Sequence, residues 1–305
     1  MSLPFARPEL LRHPGPADAL RVDAHRADAL RRIQHLAPDS SILDALWEPL
    51  ERTGRTAGKA ELVGGTFGHL RYCIPAHCPD GSRVATFSDP IEDRRPVSLV
   101  LASATLGLRD GARWMHCHAL WVDADGVVRA GHLLPETEIG DPPPRAVVDA
   151  LSGVRLESAP DAETNLPIFH HRPEGAATVQ TPTGTREVLV ARVKPNEDIV
   201  QAVEKLCLAR DFRAALVRAS VGSLVGARLR VADRVIEVPG PAVEVIALVG
   251  EVRTDARGVP AATLTATLVG ESGQVFGGEL ISGANPVAIT YELFLEPIPA
   301  GEEAR

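Results

Sequence analysis

No apolar run in the 305 residues approaches the roughly 18–20 residues that a membrane-spanning helix needs. The N-terminal stretch MSLPFARPELLRHPGP has prolines and charges where a secretory leader requires an unbroken apolar segment, so the chain reads as cytoplasmic, with no membrane partner. Cysteine is scarce. The four present, Cys73, Cys78, Cys117 and Cys207, show no CxxC spacing, and disulfides are not expected in a reducing compartment. Cys73 and Cys78 flank His77 in CIPAHC, but no second pair completes a four-ligand site, and they read as reduced bystanders. Positive charge is also in deficit. Lys and Arg number 32 against 40 Asp and Glu, for a net charge of −8. The deficit extends to both halves of the chain, so neither supplies the positive field that binding a phosphate backbone favours. Asp93-Arg94-Arg95 reads as a solvated loop. P-loop, dinucleotide-binding and GxSxG motifs are missing, and no Ser-His-Asp constellation can be picked out from spacing.

What is present is enough apolar sequence, 45%, for two cores, and an internal repeat. KPNEDIVQAVEKLCLARDFRAALVRASVGSL in the second half reads as an extended lead-in, an amphipathic helix and a buried strand ending at a glycine turn. APDSSILDALWEPLERTGRTAGKAELVGGTFGHL in the first half has the same order. Asp198 and Ser41 are the expected N-caps, and Pro49 is expected to kink or shorten the first helix. Further on, ATLTATLVGESGQVFGGELISG aligns with MHCHALWVDADGVVRAGHLLPE, with Gly126 on Gly273 and Gly131 on Gly278, a constant offset of 147 residues. The repeat spans about 110 residues. It divides the chain into domains at 20–160 and 186–300. Residues 161–185, rich in proline, threonine and glycine, read as a linker whose His170 and His171 are solvent-exposed bystanders.

Three histidines converge in the first copy. Side chains alternate along MHCHALWVD, so His116 and His118 share one face. The loop 124–126 makes a three-residue hairpin with Gly126 in the left-handed position. That register sets Asp123 opposite Val127 and His118 opposite His132. Three imidazoles on one patch suit a divalent transition metal, zinc first, with copper, iron and nickel open. A fourth position would go to water, substrate, or a carboxylate such as Glu136 or Glu138. The competing reading is three structural histidines hydrogen-bonded to backbone carbonyls. In the second copy Thr263, Thr265 and Glu279 occupy the matching positions, a poor site for such an ion. His69, after the glycine turn where the second copy has Ser223, is a candidate proton-transfer residue or a loop cap. Arg71 and Arg113 could meet an anionic ligand or lie on the surface.

The second copy resembles the plants and prokaryotes conserved (PPC) domain through KPNEDIVQAVEKL, RAALVRASVGSLVGARLR, VIEVPGPAVEVIALVGEV and GQVFGGELI. The first resembles it through SILDALWEPL, AELVGGTFGHLRY and HCHALWVDADGVVRAGHLLP. The resemblance implies an α/β (α+β) fold: in each copy, a curved, mainly antiparallel sheet with a packed helix, assembling as a homotrimer. It also implies a metal site of HxH plus glycine-histidine, which only the first copy matches. Plant members carry an AT-hook beside the domain, but no Arg-Gly-Arg-Pro core occurs here. The expectation is a metal-binding tandem protein with a small-molecule-binding or metal-assisted enzymatic role. The alternatives are a DNA-associated regulator and a structural oligomerisation module.

Overall fold

The computed structural model describes residues 10–174 and 183–299. They form a mainly antiparallel sheet system with two helices, and neither helix is long and apolar enough to cross a membrane. Helix Ile42–Glu51 is capped by Ser41, whose Oγ accepts from the Asp44 amide at 3.1 Å. Helix Ile199–Arg210 is capped by Asp198, whose Oδ1 accepts from the Gln201 amide at 3.0 Å. These side chains satisfy amides that have no partner within the helix. Pro49 offers no N–H to the preceding turn, and its helix stops at 10 residues where the other runs to 12.

The same order of elements occurs twice. In the first half, strand Val22–His35 leads into the helix, then strands Ala57–Val63, Thr66–Cys73, Val97–Arg109, Ala112–Val122, Val128–Leu133 and Arg145–Ser152. In the second, Thr185–Val193 leads into its helix, then Ala214–Val217, Val221–Leu224, Val243–Thr254, Pro260–Val269, Val275–Leu280 and Val287–Pro297, with the hairpin Ala227–Val231 and Arg234–Val238 where the first half has the short strands Pro75–Ala76, Thr86–Phe87 and Ile91–Asp93. The two key hairpins keep one register: His118 faces His132, and Thr265 faces Glu279. Both turn on a left-handed glycine, Gly126 at φ 78° and Gly273 at φ 74°.

Each half has its own core. Leu46, Trp47, Phe67 and Trp121 centre the first, and Val203, Leu206, Leu248 and Tyr291 the second. A third cluster, with Leu151, Phe169, Val190 and Phe294, joins the two. Strand Val22–His35 also pairs with Thr185–Val193, Ala27 opposite Val188, so hydrogen bonding passes from one half into the other.

The linker expectation for 161–185 fails at its centre. Pro167–Pro173 is a strand paired with Val154–Pro160, and His171 is 3% exposed rather than solvated, while His170 is half-buried. Flanking proline and threonine masked the apolar pair Ile168 and Phe169, both buried. Residues 175–182 of that stretch lie outside the described residues.

Candidate metal centre

His116 and His118 lie two apart on strand Ala112–Val122, and the hairpin sets His132 directly opposite His118. The ring centroids are 4.7 Å apart for His116 and His118, 5.2 Å for His116 and His132, and 5.3 Å for His118 and His132. One nitrogen from each ring lies within 4.8 Å of the other two, and no other such group of His, Cys, Asp or Glu ligands occurs among the described residues. Gly131 makes room: a Cβ there would meet the Cys73 carbonyl oxygen at 2.7 Å, because strand Thr66–Cys73 passes against the hairpin.

Residues of the second half close over this face. His118 Nδ1 lies 2.8 Å from the Val245 carbonyl oxygen, which can only accept, so Nδ1 carries the proton and Nε2 is a bare lone pair in the neutral ring. His116 Nδ1 lies 2.9 Å from Oε1 of Glu292, a carboxylate 1% exposed. That contact turns the Nε2 of His116 toward the Nε2 of His118, at 3.0 Å. Two lone pairs do not face one another at that distance without a proton or a cation between them. Glu244 completes the ring of donors, with Oε1 3.4 Å from His118 Nε2 and 3.8 Å from His132 Nδ1. Buried His132 Nδ1 and Glu244 Oε2 have no hydrogen-bond partner. Three imidazoles, a carboxylate and orphaned buried atoms among them fit a four-coordinate divalent ion.

The electrostatics set the rings apart. Burial drives His132 well below the ordinary histidine value, and the neighbouring His116 and His118 add to the shift, so this ring stays neutral with a lone pair to offer. Burial also acts to lower His118, but the Glu244 carboxylate and its hydrogen bond outweigh it and raise the value. Burial alone would raise Glu292. His116 and the Lys59 ammonium instead hold it down to about 2, so it is ionised. Lys59 is itself fully buried and donates to Thr105 Oγ1 at 2.7 Å and to the Glu292 carbonyl at 2.9 Å.

The cluster opens into a cavity of about 320 Å³ between the halves. Phe87 packs on His132 with centroids 4.7 Å apart, and Trp114, Phe169 and Ile289 line the cavity beyond. Cys73, opposite His132 in the register, also lines it, with burial and then Glu244 pushing its thiol up to about 12. Cys78 turns away to Asp80, with Sγ 3.0 Å from Oδ1.

Several expected residues lie elsewhere. His69 does not line the cavity; it sits 3.5 Å from Glu92 and 4.0 Å from Glu138, so the proton-transfer role loses its geometric basis. Glu136 is taken by Arg71 at 3.3 Å, and the carboxylate at the histidines is Glu244, not Glu136 or Glu138. Arg71 also pairs with Glu92, and Arg113 with Asp44 and Glu51, so neither awaits an anion. Glu244 and Glu292 went unread in the sequence, where the available signal was an acidic residue inside each apolar strand, AVEVIALVGEV and AITYELFLEP. In the second copy Thr263 and Thr265 are exposed, and Glu279 lies 3.9 Å from Arg230.

The profile of the Plants and Prokaryotes Conserved (PCC) domain matches residues 180–299. No curated protein matches the chain. Among solved structures, a metal-containing protein from Archaeoglobus fulgidus is 22% identical, covering 46% of this chain and 93% of its own, with a TM-score of 0.38. A plant- and prokaryote-conserved protein from Pyrococcus horikoshii is 23% identical over 37% of this chain and 79% of its own, with a TM-score of 0.32. A proposed DNA-binding protein from Bacteroides thetaiotaomicron is 18% identical over 46% and 91%, with a TM-score of 0.36. The match to the PCC domain thus covers residues 180–299, the second half of the chain.

Proposed function

We propose that the chain is a tandem PCC-domain protein of the cytoplasm that binds one transition-metal ion, zinc, through His116, His118 and His132, with Glu244 of the second half as fourth donor. In this reading the first half is a second, divergent copy of the domain, at 20–160, and the copy at 186–300 lacks the site. The observation that carries the reading is the convergence of the three rings, with one nitrogen of each within 4.8 Å of the other two and His116 Nε2 3.0 Å from His118 Nε2. The residues of this chain divide the work. The Val245 carbonyl fixes the tautomer of neutral His118, Glu292 holds the Nδ1 of His116, and burial keeps His132 neutral. When bound, the ion supplies Lewis acidity to a small molecule in that cavity.

Elemental analysis of protein purified without a histidine tag tests this. About one zinc per chain is expected in the wild type, and most of it should be lost in His118→Ala, the central donor. Equal metal content in the two proteins would make the histidines structural. The chain is further proposed to self-associate as a trimer.

A further inference from the structure

The histidine cavity has two chemically distinct parts. At the donors stand two carboxylates, Glu244 beside His118 and His132, and Glu292 on His116. Elsewhere on the wall stand two guanidinium groups, Arg83 and Arg109, and neither makes an ion pair with a carboxylate among the described residues. Arg109 lies over the Trp114 ring, 3.7 Å from its centroid, and its Nε donates to Ser158 Oγ at 3.1 Å. These two contacts fix the plane of the fork while leaving its terminal nitrogens for a ligand. The Nε of Arg83 is buried and has no hydrogen-bond partner. Outside the cavity, by contrast, Arg71 meets Glu92, and Lys59 lies close to Glu292. Leaving two guanidinium groups unmatched in a partly buried cavity costs desolvation energy that an incoming anion would recover. The remaining walls are apolar and aromatic: Trp114, Phe169, Phe87 and Ile289.

We infer that this cavity takes a small aromatic or apolar carboxylate, held by its carboxylate on Arg109 and Arg83 and by its body between Trp114 and Phe169, with its far end directed to the histidine centre. The inference rests on reading the cavity as a small-molecule site beside a metal. A volume of about 320 Å³ limits the ligand to a single ring with a short side chain or a comparable aliphatic acid.

The test uses the full-length, zinc-loaded protein and calorimetric titration with phenylacetate and 3-phenylpropionate, each against its neutral amide. The acids should bind in the millimolar range or tighter, and the amides about tenfold more weakly or not at all. Arg109→Gln and Arg83→Gln should each weaken the acids about tenfold, with zinc content unchanged from wild type. Two separate arginine variants guard against one of them misfolding. Equal binding of acid and amide, acid binding unchanged in both variants, or no acid binding at millimolar concentration overturns the inference. Zinc measured on the same samples separates the two readings. Stoichiometric zinc without acid binding sinks only this inference, and acid binding without zinc sinks only the metal reading.

Discussion

Oε1 of Glu244, on a strand of the second half, lies 3.4 Å from Nε2 of His118 in the first. A donor set drawn from one hairpin is thereby closed by a residue 126 positions away, and the site depends on how the halves are docked as well as on the hairpin.

Glu244→Gln keeps the size of the side chain and removes its charge. Zinc affinity should fall by about tenfold or more, read by competition with a chromogenic chelator. Glu136→Gln, at the carboxylate paired with Arg71, should leave affinity unchanged. Equal effects of the two substitutions would remove Glu244 from the ligand set.

Gly131→Ala should damage the site without touching a ligand. The added methyl group meets the Cys73 carbonyl at 2.7 Å and Tyr72 at 3.0 Å, so the hairpin must shift beside His132. A loss of about 1–3 kcal/mol in urea unfolding, together with reduced zinc content, is the expected result. Wild-type zinc content at wild-type stability would show that the close approach of the two strands is dispensable.

Lys59 sets a pH dependence with a definite sign. Burial lowers its folded value from 10.5 to about 8, with Glu292 opposing. Between those two values the unfolded chain holds a proton that the folded chain has released, so stability contributed by this group rises with pH across that window. The cost of burying the charge is fully present below about 8 and gone above 10.5. Urea melts at stepped pH should show the rise in wild type and a flatter profile in Lys59→Met.

For the assembly, light scattering should return three times the 32.5 kDa of one chain. A mass equal to one chain would refute self-association and leave the intrachain site unaffected.

The local part of the site is legible in the sequence. Alternation puts His116 and His118 on one face, and a short turn at Gly126 fixes the register that brings in His132. Both rules act over a few residues, as do the caps Ser41 and Asp198. Glu244, Val245 and Glu292 obey no local rule. Their contacts with the histidines span 112 to 176 residues and depend on packing between the halves, which side-chain periodicity does not encode. Periodicity likewise missed Pro167–Pro173, because prolines bracket a strand too short to display a pattern. His69 went astray for a related reason: standing beside a glycine turn says nothing about which cavity a ring enters.

Strand Val22–His35 is hydrogen-bonded on one side to Arg145–Ser152 and on the other to Thr185–Val193. During synthesis its first neighbour is complete by residue 152, whereas the second must wait until residue 193 has cleared the ribosome. Over that interval the first half presents an open β-edge that includes Ala27 and Ala29, both buried in the finished molecule. Nascent chains that stall or are cut between the two points therefore carry an adhesive edge, and the second half acts, in kinetic terms, as the cover that ends the exposure.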